Sequence, residues 1–417
     1  MDSSRSFWKR FWKGSSDRRN SPGMMNRWMA KRNREEKGTA TQVASPLKVK
    51  AEKLPVEAVE RILAHLPLPA LIRARCVCKR WRTLIASPRF LSARADIPAV
   101  ANPPYFPMVF SQSYGRKCCA FDFANYRWQR LAPLNFVPYK VTYVAGAGGL
   151  LCLRNCFELL VVCNPITRQW KNLPRSSGQL CVGQSLIHMV MEPASKSYKI
   201  ITISATCKTE VYDNSSKSWN ITSHSLPPGV TCIRGRTAAF YNGFLYCIVD
   251  EGVGSKLSGV IAHDVQLAVW SSMLIALPTG FGEARSSNSL QPGSLAASLV
   301  ECRGRVVLVA EKMQLGVTLI HIFELQLMNI TWLEVGSLPY EVGSGTPFES
   351  FKQGLRCDGV VVHGDLICLT SQSGDMAVLD FSTGMWKRLP ECPLAVGKNP
   401  EIDIAVFPFL PSLDAPV

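Results

Sequence analysis

The chain has 417 residues and a formal net charge of +16, yet only 19% of its residues are charged and 47% are hydrophobic. A chain of this length and apolar content folds into two or three packed domains, so wholesale disorder is excluded. Residues 1–50 carry thirteen Lys and Arg against four Asp and Glu, or +9, and residues 51–92 add eight against three, or +5. The remaining 325 residues carry only +2, which argues against a basic nucleic-acid groove in the bulk of the protein.

The cysteines and the hydropathy pattern indicate a reducing compartment. The fifteen cysteines are an odd number, and several, such as Cys163, Cys247 and Cys368, sit inside apolar runs. Such cysteines act as small buried hydrophobes, so we predict free thiols and no disulfide framework. No apolar segment of signal-peptide length starts the chain, and no stretch approaches the roughly 18 apolar residues of a membrane span. We therefore expect the protein in the nucleus, the cytoplasm or both.

Residues 1–50 are predicted to form a disordered basic tail, because they are rich in Ser, Arg, Lys and Asn. Four aromatic residues would share one face of a helix with basic residues nearby: Phe7, Trp8, Phe11 and Trp12. Such a segment could lie on an anionic membrane surface or dock on a partner instead of staying solvated. A basic cluster could serve as a nuclear address, at Lys31, Arg32, Arg34 and Lys37. The acid-poor start also resembles an organelle transit peptide.

Residues 51–95 are predicted to form a module of three short helices. Between Pro55, which suits a helix start, and Pro67, which ends the helix, apolar residues recur at helical spacing: Val56, Val59, Leu63 and Leu66. Pro69 opens a second helix, and a third carries one apolar stripe before Ser87-Pro88: Val77, Trp81, Leu84 and Ile85. Three such helices expose too much apolar surface to be stable alone, so the module needs a partner chain or a neighbouring domain.

The pattern of proline and apolar residues in this module resembles an F-box. The matching residues are Leu54-Pro55-x-Glu57, Ile62-Leu63-x-x-Leu66-Pro67 and Val77-Cys78-Lys79-x-Trp81-x-x-Leu84-Ile85-x-Ser87-Pro88-x-Phe90. The alternative is an anonymous helical hairpin that packs on the next domain. The resemblance implies a docking surface for a Skp-type adaptor, which links F-box proteins to the cullin and RING subunits of a ubiquitin ligase. It implies these adaptor-binding residues: Leu54, Pro55, Ile62, Leu63, Leu66, Pro67, Leu71, Val77, Cys78, Lys79, Trp81 and Ile85.

Six of the ten tryptophans punctuate residues 96–417 at a regular interval: Trp128, Trp170, Trp219, Trp270, Trp332 and Trp386. They are separated by 42, 49, 51, 62 and 54 residues. Five of them close a phrase that opens six residues earlier on Asp or Asn, and the fifth phrase, Glu324 to Trp332, is longer by two. A Leu with a nearby Pro follows every one. This pattern is a repeat with a period near fifty residues.

Each repeat predicts one antiparallel sheet. Short apolar runs such as 149–153 and 158–163 alternate with Gly, Asn, Asp and Pro turns. About fifty residues fit one four-stranded blade, and six blades close a ring. We therefore predict a mainly β fold with a six-bladed β-propeller, and not a sandwich, which does not require the same Trp phrase six times. The six Trp side chains are assigned to packing between blades, and not to a stacking platform for bases or sugars.

The Trp phrases resemble degenerate kelch repeats of the kind joined to plant-type F-box proteins. The sequence departs from the kelch pattern because a Gly-Gly pair before a strand occurs only at Gly148-Gly149. The resemblance implies a kelch-like propeller over residues 96–417. A strand-like segment, 105–112, precedes the first phrase, and another, 402–407, follows the last. Because a closed ring leaves no exposed edges, we expect these two ends to complete one blade together.

No constellation of catalytic or metal-binding residues is predicted. No two of the six histidines lie closer than 36 residues, and the pair Cys152 and Cys156 has no second pair at metal spacing. The run Gly146-Ala147-Gly148-Gly149 lacks the third glycine and the following helix of a dinucleotide loop, so we interpret it as a turn before a strand. We predict no cofactor, no metal and no catalytic role.

The resemblance to F-box and kelch proteins implies that the chain is a substrate-recognition subunit of an SCF-type (Skp-cullin-F-box) E3 ubiquitin ligase. The F-box would dock on the Skp-type adaptor, and the propeller would bind an unidentified target protein but no nucleic acid. The longest candidate recognition loop is residues 279–298. Such a receptor accelerates ubiquitin transfer through proximity. Two alternatives stay open: an F-box interaction scaffold that does not promote target degradation, and a propeller enzyme with catalytic residues on its loops.

Overall fold

A computed structural model describes residues 54–417 apart from gaps, the longest of which cover residues 98–104, 112–116, 252–256, 279–296, 340–347 and 395–403. The chain divides into two compact units, residues 1–102 and residues 103–417. The predicted tail and almost all of the predicted recognition loop lie outside the described residues.

Four helices make up the described part of the first unit: α1 (Val56–Ala64), α2 (Leu68–Ala74), α3 (Lys79–Ile85) and α4 (Pro88–Ala95). The first three correspond to the helices predicted for the F-box. The fourth begins where the third was expected to stop, because Ser87-Pro88 starts a helix as well as ending one. Proline loses no hydrogen bond in the first helical turn, and the Ser87 hydroxyl accepts a bond from the Phe90 amide (3.3 Å).

The four helices enclose a small apolar core. Its buried side chains are Val59, Leu63, Ala64, Leu71, Ala74, Ile85 and Phe90. Arg94 of α4 donates from Nη1 to the carbonyl oxygens of Ala64 (2.6 Å) and Leu66 (2.8 Å). These carbonyls lie at the C-terminal end of α1, where the helix has no further amides to satisfy them and where a cation is favoured. The fourth helix therefore covers the core and caps the first helix.

The second unit consists of six antiparallel sheets, which confirms the predicted six-bladed β-propeller. Blade 1 comprises β1 (Tyr105–Ser111), β2 (Lys117–Asp122), β3 (Arg127–Leu131) and the last strand, β25 (Ile404–Phe407). Blade 2 comprises β4 (Val141–Ala147), β5 (Leu150–Asn155), β6 (Leu160–Cys163) and β7 (Trp170–Asn172). Blade 3 comprises β8 (Leu186–Glu192), β9 (Ser197–Ile203), β10 (Thr209–Asp213) and β11 (Ser218–Ser223).

The remaining three blades follow the same plan. Blade 4 comprises β12 (Val230–Tyr241), β13 (Phe244–Glu251), β14 (Leu257–Asp264) and an outer strand split into β15 (Val269–Trp270) and β16 (Ile275–Ala276). Blade 5 comprises β17 (Ala297–Glu301), β18 (Val306–Gln314), β19 (Val317–Gln326) and β20 (Thr331–Ser337). A short 3-10 helix (Glu349–Gln353) precedes blade 6, which comprises β21 (Leu355–His363), β22 (Leu366–Ser371), β23 (Met376–Asp380) and β24 (Met385–Arg388).

The innermost strands establish that the ring is closed. They are β25, β4, β8, β12, β17 and β21; each contacts the next, and β21 returns to β25. Apolar cores fill the spaces between neighbouring blades. Between blades 5 and 6, for example, Val309 and Ile322 pack with Val360 and Leu369. Each sheet buries both faces in this way, which explains why its middle strands are continuous apolar runs.

Both ends of the propeller complete blade 1, as predicted. Val109 of β1 pairs with Val406 of β25 in an antiparallel ladder. The ring of Phe407 stacks on Tyr143 of blade 2, with centroids 4.2 Å apart. Further along, Asn164 of blade 2 donates from Nδ2 to the carbonyl oxygens of Ser412 (3.0 Å) and Ala415 (3.2 Å). The described residues of this C-terminal segment therefore contact both blade 1 and blade 2.

Candidate functional site

The structure divides the predicted adaptor-binding residues of the F-box into two groups. Leu63, Leu71 and Ile85 are buried in the core. The others that it describes are exposed or partly exposed: Leu54, Pro55, Ile62, Leu66, Val77, Cys78, Lys79 and Trp81. Pro67 lies outside the described residues. Only the second group is accessible to a partner, so the first group supports the surface from beneath.

Three large apolar side chains of the helical unit are exposed to solvent. Val56 is 45% exposed, Ile62 55% and Val77 65%. Val56 shares a helix stripe with the buried Val59 and Leu63, at spacings of three and seven residues, so the apolar stripe of α1 continues past the core. Val56 was absent from the predicted adaptor set, although its spacing could have indicated it. We call the exposed residues Pro55, Val56, Ile62, Val77, Cys78 and Lys79 the adaptor surface, after the adaptor binding that the sequence predicts for all of them except Val56.

The start of α3 shapes one part of the adaptor surface. Cys78 is extended and caps the helix, because its Sγ accepts a hydrogen bond from the Trp81 amide (3.4 Å). The first turn of α3 contains Lys79 and Arg80 and no acidic residue. Positive charge at a helix N-terminus opposes the helix dipole by about 0.3–1 kcal/mol, so these residues do not serve the stability of the helix. Exposed positive charge of this kind speeds association with an acidic partner.

The Trp phrase is a hairpin turn that recurs in all six blades. The fourth residue after the opening one always has a positive φ, between 46° and 69°: Tyr126, Arg168, Lys217, Ala268, Ile330 and Gly384. Its amide donates to the carbonyl of the opening residue at 2.8 Å in blades 2, 3, 5 and 6. Where the opening residue is Asp or Asn, its side chain accepts bonds from the amides that follow, as Asp380 does from Ser382 (3.0 Å). The Trp comes two residues after the positive φ.

The fifth phrase corrects the sequence interpretation. The Ile330 amide donates to the carbonyl of Gln326 (2.8 Å), so the turn opens on Gln326 and not on Glu324. The distance from Gln326 to Trp332 is six residues, as in the other blades. The expected insertion of two residues is therefore wrong. The backbone bond sets this turn, and it does not require an acidic opening residue.

Three of the six Trp side chains bond to the preceding blade. Their Nε1 atoms donate to backbone carbonyls at or beyond the outer strand of that blade: Trp128 to Pro390 (2.7 Å), Trp219 to Pro174 (2.8 Å) and Trp332 to Ala276 (2.8 Å). Trp386 packs against the core between blades 5 and 6, and Trp270 against the core between blades 3 and 4. Trp170 meets the ring of Tyr139 edge-on, at 6.1 Å. All six are partly buried.

A cavity of about 740 Å³ lies on the propeller axis. The innermost strands of all six blades line it, through residues such as Thr142, His188, Phe240, Val361 and Ala405. Burial lowers the pKa of His188 to about 4, so this imidazole is neutral at neutral pH. The cavity is large enough for a side chain or a short peptide segment.

A buried carboxylate was missed by sequence reasoning. Burial alone would raise the pKa of Glu210, but hydrogen bonds from Ser176, Ser177 and Gly178 hold it below its ordinary value. Lys208 lies 3.6 Å from the same carboxylate. These contacts tie the connection after blade 2 to blade 3, so the carboxylate has a structural role. The hydrogen-bond partners of Glu210 lie 32 to 34 residues away in sequence, so no local motif could have indicated this site.

The other predicted chemical features have simple structural roles. Gly148 and Gly149 form the turn between β4 and β5, as predicted. Burial raises the pKa of the Cys152 thiol, whereas Cys156 is exposed. Within the described part of the chain, no group of three or more His, Cys, Asp or Glu could hold a metal ion. No described helix is both long and apolar enough to cross a membrane.

Comparison with known protein families matches both units. The F-box domain family matches residues 52–93. A second family, described as "F-box protein At3g26010-like, beta-propeller", matches residues 129–340, slightly more than half of the chain. The chain belongs to the F-box proteins that carry a β-propeller.

Plant F-box proteins are similar to this F-box protein over most of its length. It is 25% identical to "F-box only protein 6" of Arabidopsis thaliana, over 84% of this chain and 71% of that protein. It is 24% identical to "F-box/kelch-repeat protein At3g61590" of the same species, over 82% and 84%. It is 27% identical to "Protein ABERRANT PANICLE ORGANIZATION 1" of Oryza sativa subsp. japonica, over 87% and 89%. The similarity therefore spans the helical unit and the propeller together.

Proposed function

We propose that this F-box protein is the substrate-recognition subunit of an SCF-type E3 ubiquitin ligase. The observation that carries the proposal is the adaptor surface, with Val56, Ile62 and Val77 exposed on a small helical unit that already has a packed core. Apolar side chains that a core does not need are typical of an interface. The F-box binds a Skp-type adaptor, which connects it to the cullin and RING subunits. The propeller binds the target.

Binding to a purified Skp-type adaptor tests the first half of the proposal. Ile62→Asp and Val77→Asp place charge on the adaptor surface without disturbing the core, because both side chains are exposed. We expect the pair of substitutions to weaken adaptor binding at least about 100-fold, as for buried anchors of a protein interface. Ser92→Asp, at an exposed position of α4 outside the adaptor surface, is the matched control.

The outcome is read by calorimetry on the full chain, with thermal melting to show that each variant is folded. Leu63→Asp is unsuitable for this purpose, because Leu63 is buried and the variant would lose the helical unit itself. Equal adaptor affinity of the wild type and the Ile62→Asp, Val77→Asp variant would contradict adaptor binding through the adaptor surface.

In this proposal the propeller acts as a non-catalytic receptor for the target. It rests on a closed ring whose connections are free to differ between blades, and on the F-box proteins that share both units. The chain holds a target near the ubiquitin-charged enzyme, and proximity accelerates transfer. The alternative is an F-box scaffold that binds its target without promoting turnover.

Target lifetime separates the receptor from the scaffold. Proteins are captured by the full chain while the proteasome is blocked, and their half-lives are then measured with the wild type and with the Ile62→Asp, Val77→Asp variant. A receptor predicts that a captured protein is degraded several-fold more slowly with the variant. An unchanged half-life for every captured protein would favour the scaffold.

We also propose that the protein acts in the nucleus, the cytoplasm or both. The support is the basic cluster Lys31, Arg32, Arg34 and Lys37 together with the cysteine-rich apolar strands. A fluorescent fusion of the full chain, compared with one in which these four residues are changed to Ala, tests the nuclear share. Accumulation in the secretory pathway would contradict the proposal.

A further inference from the structure

The cavity on the propeller axis, which we call the axial cavity, is bounded by the edges of the inner strands. Six consecutive residues of β4 line it, 142–147, and five consecutive residues of β8, 187–191. Side chains of a strand alternate between the two faces of its sheet, so a surface lined by every residue in turn is formed by the edge of the strand. Among the described strands, each inner strand is hydrogen-bonded to one neighbour, and its other edge is turned to the axis.

These edges present main-chain donors and acceptors to the axial cavity. Along the edge of an antiparallel sheet, every second residue points its N–H and C=O away from the paired neighbour. The Leu299 amide of β17 is one such group, because it donates to the Thr237 hydroxyl of β12, the neighbouring inner strand (3.2 Å). Both residues line the cavity. Groups of this kind bind another main chain that lies alongside them.

The dimensions of the axial cavity fit one extended chain. A volume of about 740 Å³ over the roughly 20 Å that six strand residues span leaves a mean cross-section of about 40 Å². One strand in a packed sheet occupies about 4.8 Å by 10 Å, which is a comparable area of about 48 Å². An α-helix with its side chains is about 10–12 Å across and needs about 80–110 Å². The cavity is therefore wide enough for a single extended chain and too narrow for a helix.

The side chains around the axial cavity favour a segment without charge. Two of the described residues that line it are charged, Arg154 and Glu301, and both are engaged within the propeller. Arg154 donates from Nη1 to the carbonyl of Leu180 (3.2 Å), and Glu301 accepts from the Gly304 amide (2.6 Å). Burial lowers the pKa of His188 to about 4, so this imidazole adds no charge at neutral pH. A charged side chain of a ligand would lose its water without gaining an ion pair of its own.

Of the two strands that line the axial cavity over the greatest length, β8 has the more regular edge. It pairs with β9 from Leu186 to Glu192 without a register shift, whereas the ladder between β4 and β5 shifts between Tyr143 and Ala145. A shift of this kind locally disrupts the alternation of main-chain groups. An added strand therefore has the better template in β8.

We propose that the axial cavity binds an extended, uncharged segment of the target protein, which pairs through its main chain with the inner edge of β8. This binding mode rests on the proposed function, in which the propeller binds the target. It adds the class of segment that is recognised: about six residues, at about 3.3 Å each, without Lys, Arg, Asp or Glu.

Peptide selection on the purified full chain tests the proposal without knowledge of the target. A phage-displayed library of random twelve-residue peptides is selected for binding, and the enriched sequences are measured as free peptides by fluorescence anisotropy. We expect the enriched peptides to share an uncharged run of about six residues. A selection that enriches no peptide, or only peptides with charged residues throughout, would overturn the proposal.

N-methylation of a selected peptide tests the main-chain contact. A methyl group removes one N–H donor, and each lost hydrogen bond weakens binding about 2- to 10-fold. Because a strand pairs with its neighbour through alternate residues, we expect weaker binding for methyl groups at every second position of the run and unchanged binding for those in between. An effect that does not alternate, or no effect at all, would contradict an added strand.

A photoreactive leucine in the same peptide locates it on the wild type. We expect cross-links to residues 187–191 of β8, and cross-links confined to residues that do not line the axial cavity would overturn the proposal. Val190→Phe adds bulk at a partly exposed lining residue and should weaken peptide binding at least about 10-fold. Ile221→Phe, on the outer strand of blade 3, is the matched control. Cross-linking requires no substitution, so it decides the matter even where thermal melting shows that Val190→Phe is unfolded.

Failure of this binding mode can be distinguished from failure of the proposed function. Peptide binding requires no adaptor, so it is unaffected by the result for the Ile62→Asp, Val77→Asp variant. Conversely, a captured protein that is degraded more slowly with that variant supports the ligase role whether or not a peptide binds in the axial cavity. Absence of peptide binding in that case overturns the axial site alone.

Discussion

Phe407→Ala is expected to show how strongly the C-terminal strand closes the propeller. Phe407 is fully buried, and its ring stacks on Tyr143 of blade 2 at 4.2 Å while its backbone pairs with Met108 of blade 1. Truncation of a fully buried Phe costs about 3–5 kcal/mol. A domain has a total stability of about 5–15 kcal/mol, so this single truncation removes a large share of it.

The same residue permits a measurement specific to the closure. In a double-mutant cycle with Tyr143→Ala, the stacked pair should contribute a coupling of about 0.5–1.5 kcal/mol beyond the separate losses. Phe323 packs in the core between blades 4 and 5, away from the closure. Phe323→Ala should therefore be additive with Phe407→Ala, to within about 0.5 kcal/mol.

Urea unfolding of the full chain, followed by tryptophan fluorescence, provides the free energies of unfolding. Trp128, Trp219 and Trp332 bond between blades, so their emission reports the loss of the ring. A cost below about 1 kcal/mol for Phe407→Ala, or a coupling to Tyr143 no larger than that to Phe323, would refute the role of this strand in closure. Deletion of residues 404–417 should abolish the folded propeller altogether, because β1 would lose its pairing with β25.

Two further outcomes follow from the contacts between blades. Gly148→Ala should lower the melting temperature of the propeller, because φ is +55° there and a Cβ would lie 2.6 Å from Cε of Met191; an unchanged melting temperature would contradict this close approach. Burial lowers the pKa of His263 to about 4, so the unfolded chain binds a proton that the folded chain excludes below pH 6.5. The wild type should lose on the order of 3 kcal/mol between pH 6.5 and 4 through this group, and melting curves of His263→Phe should show a smaller loss over that range.

The propeller could be predicted from its sequence because its signal repeats. A single Trp phrase means little, but six at a regular spacing indicate six equivalent sheets. The strands at 105–111 and 404–407 then have to share one sheet, because each lies outside the other repeats. The one error of spacing, at Glu324, arose because a side chain was taken as the mark of the turn. The backbone bond from Ile330 to Gln326 is what defines it, and a β-branched residue with positive φ gives no sign of that in the sequence.

The helical unit was harder to interpret, for a different reason. Apolar residues at helical spacing include both those that form a core and those that bind a partner, and their sequence pattern is the same. Ile62 and Leu63 are neighbours and the sequence gives both the same adaptor-binding role, yet Ile62 is 55% exposed and Leu63 is buried. Only the packing of all four helices separates them, and the fourth helix was unforeseen because Pro88 was interpreted as a stop alone.

The separation of core from surface decides how the function of this protein can be tested. A closed ring unfolds as one unit, so substitutions of Phe407 or of the Trp residues that bond between blades would weaken target binding by destabilising the fold. The same holds for Leu63 in the helical unit. Exposed positions such as Ile62 and Val77 are different, because water already surrounds their side chains and a charge there costs the fold little. Loss of adaptor binding at such positions therefore reports an interface.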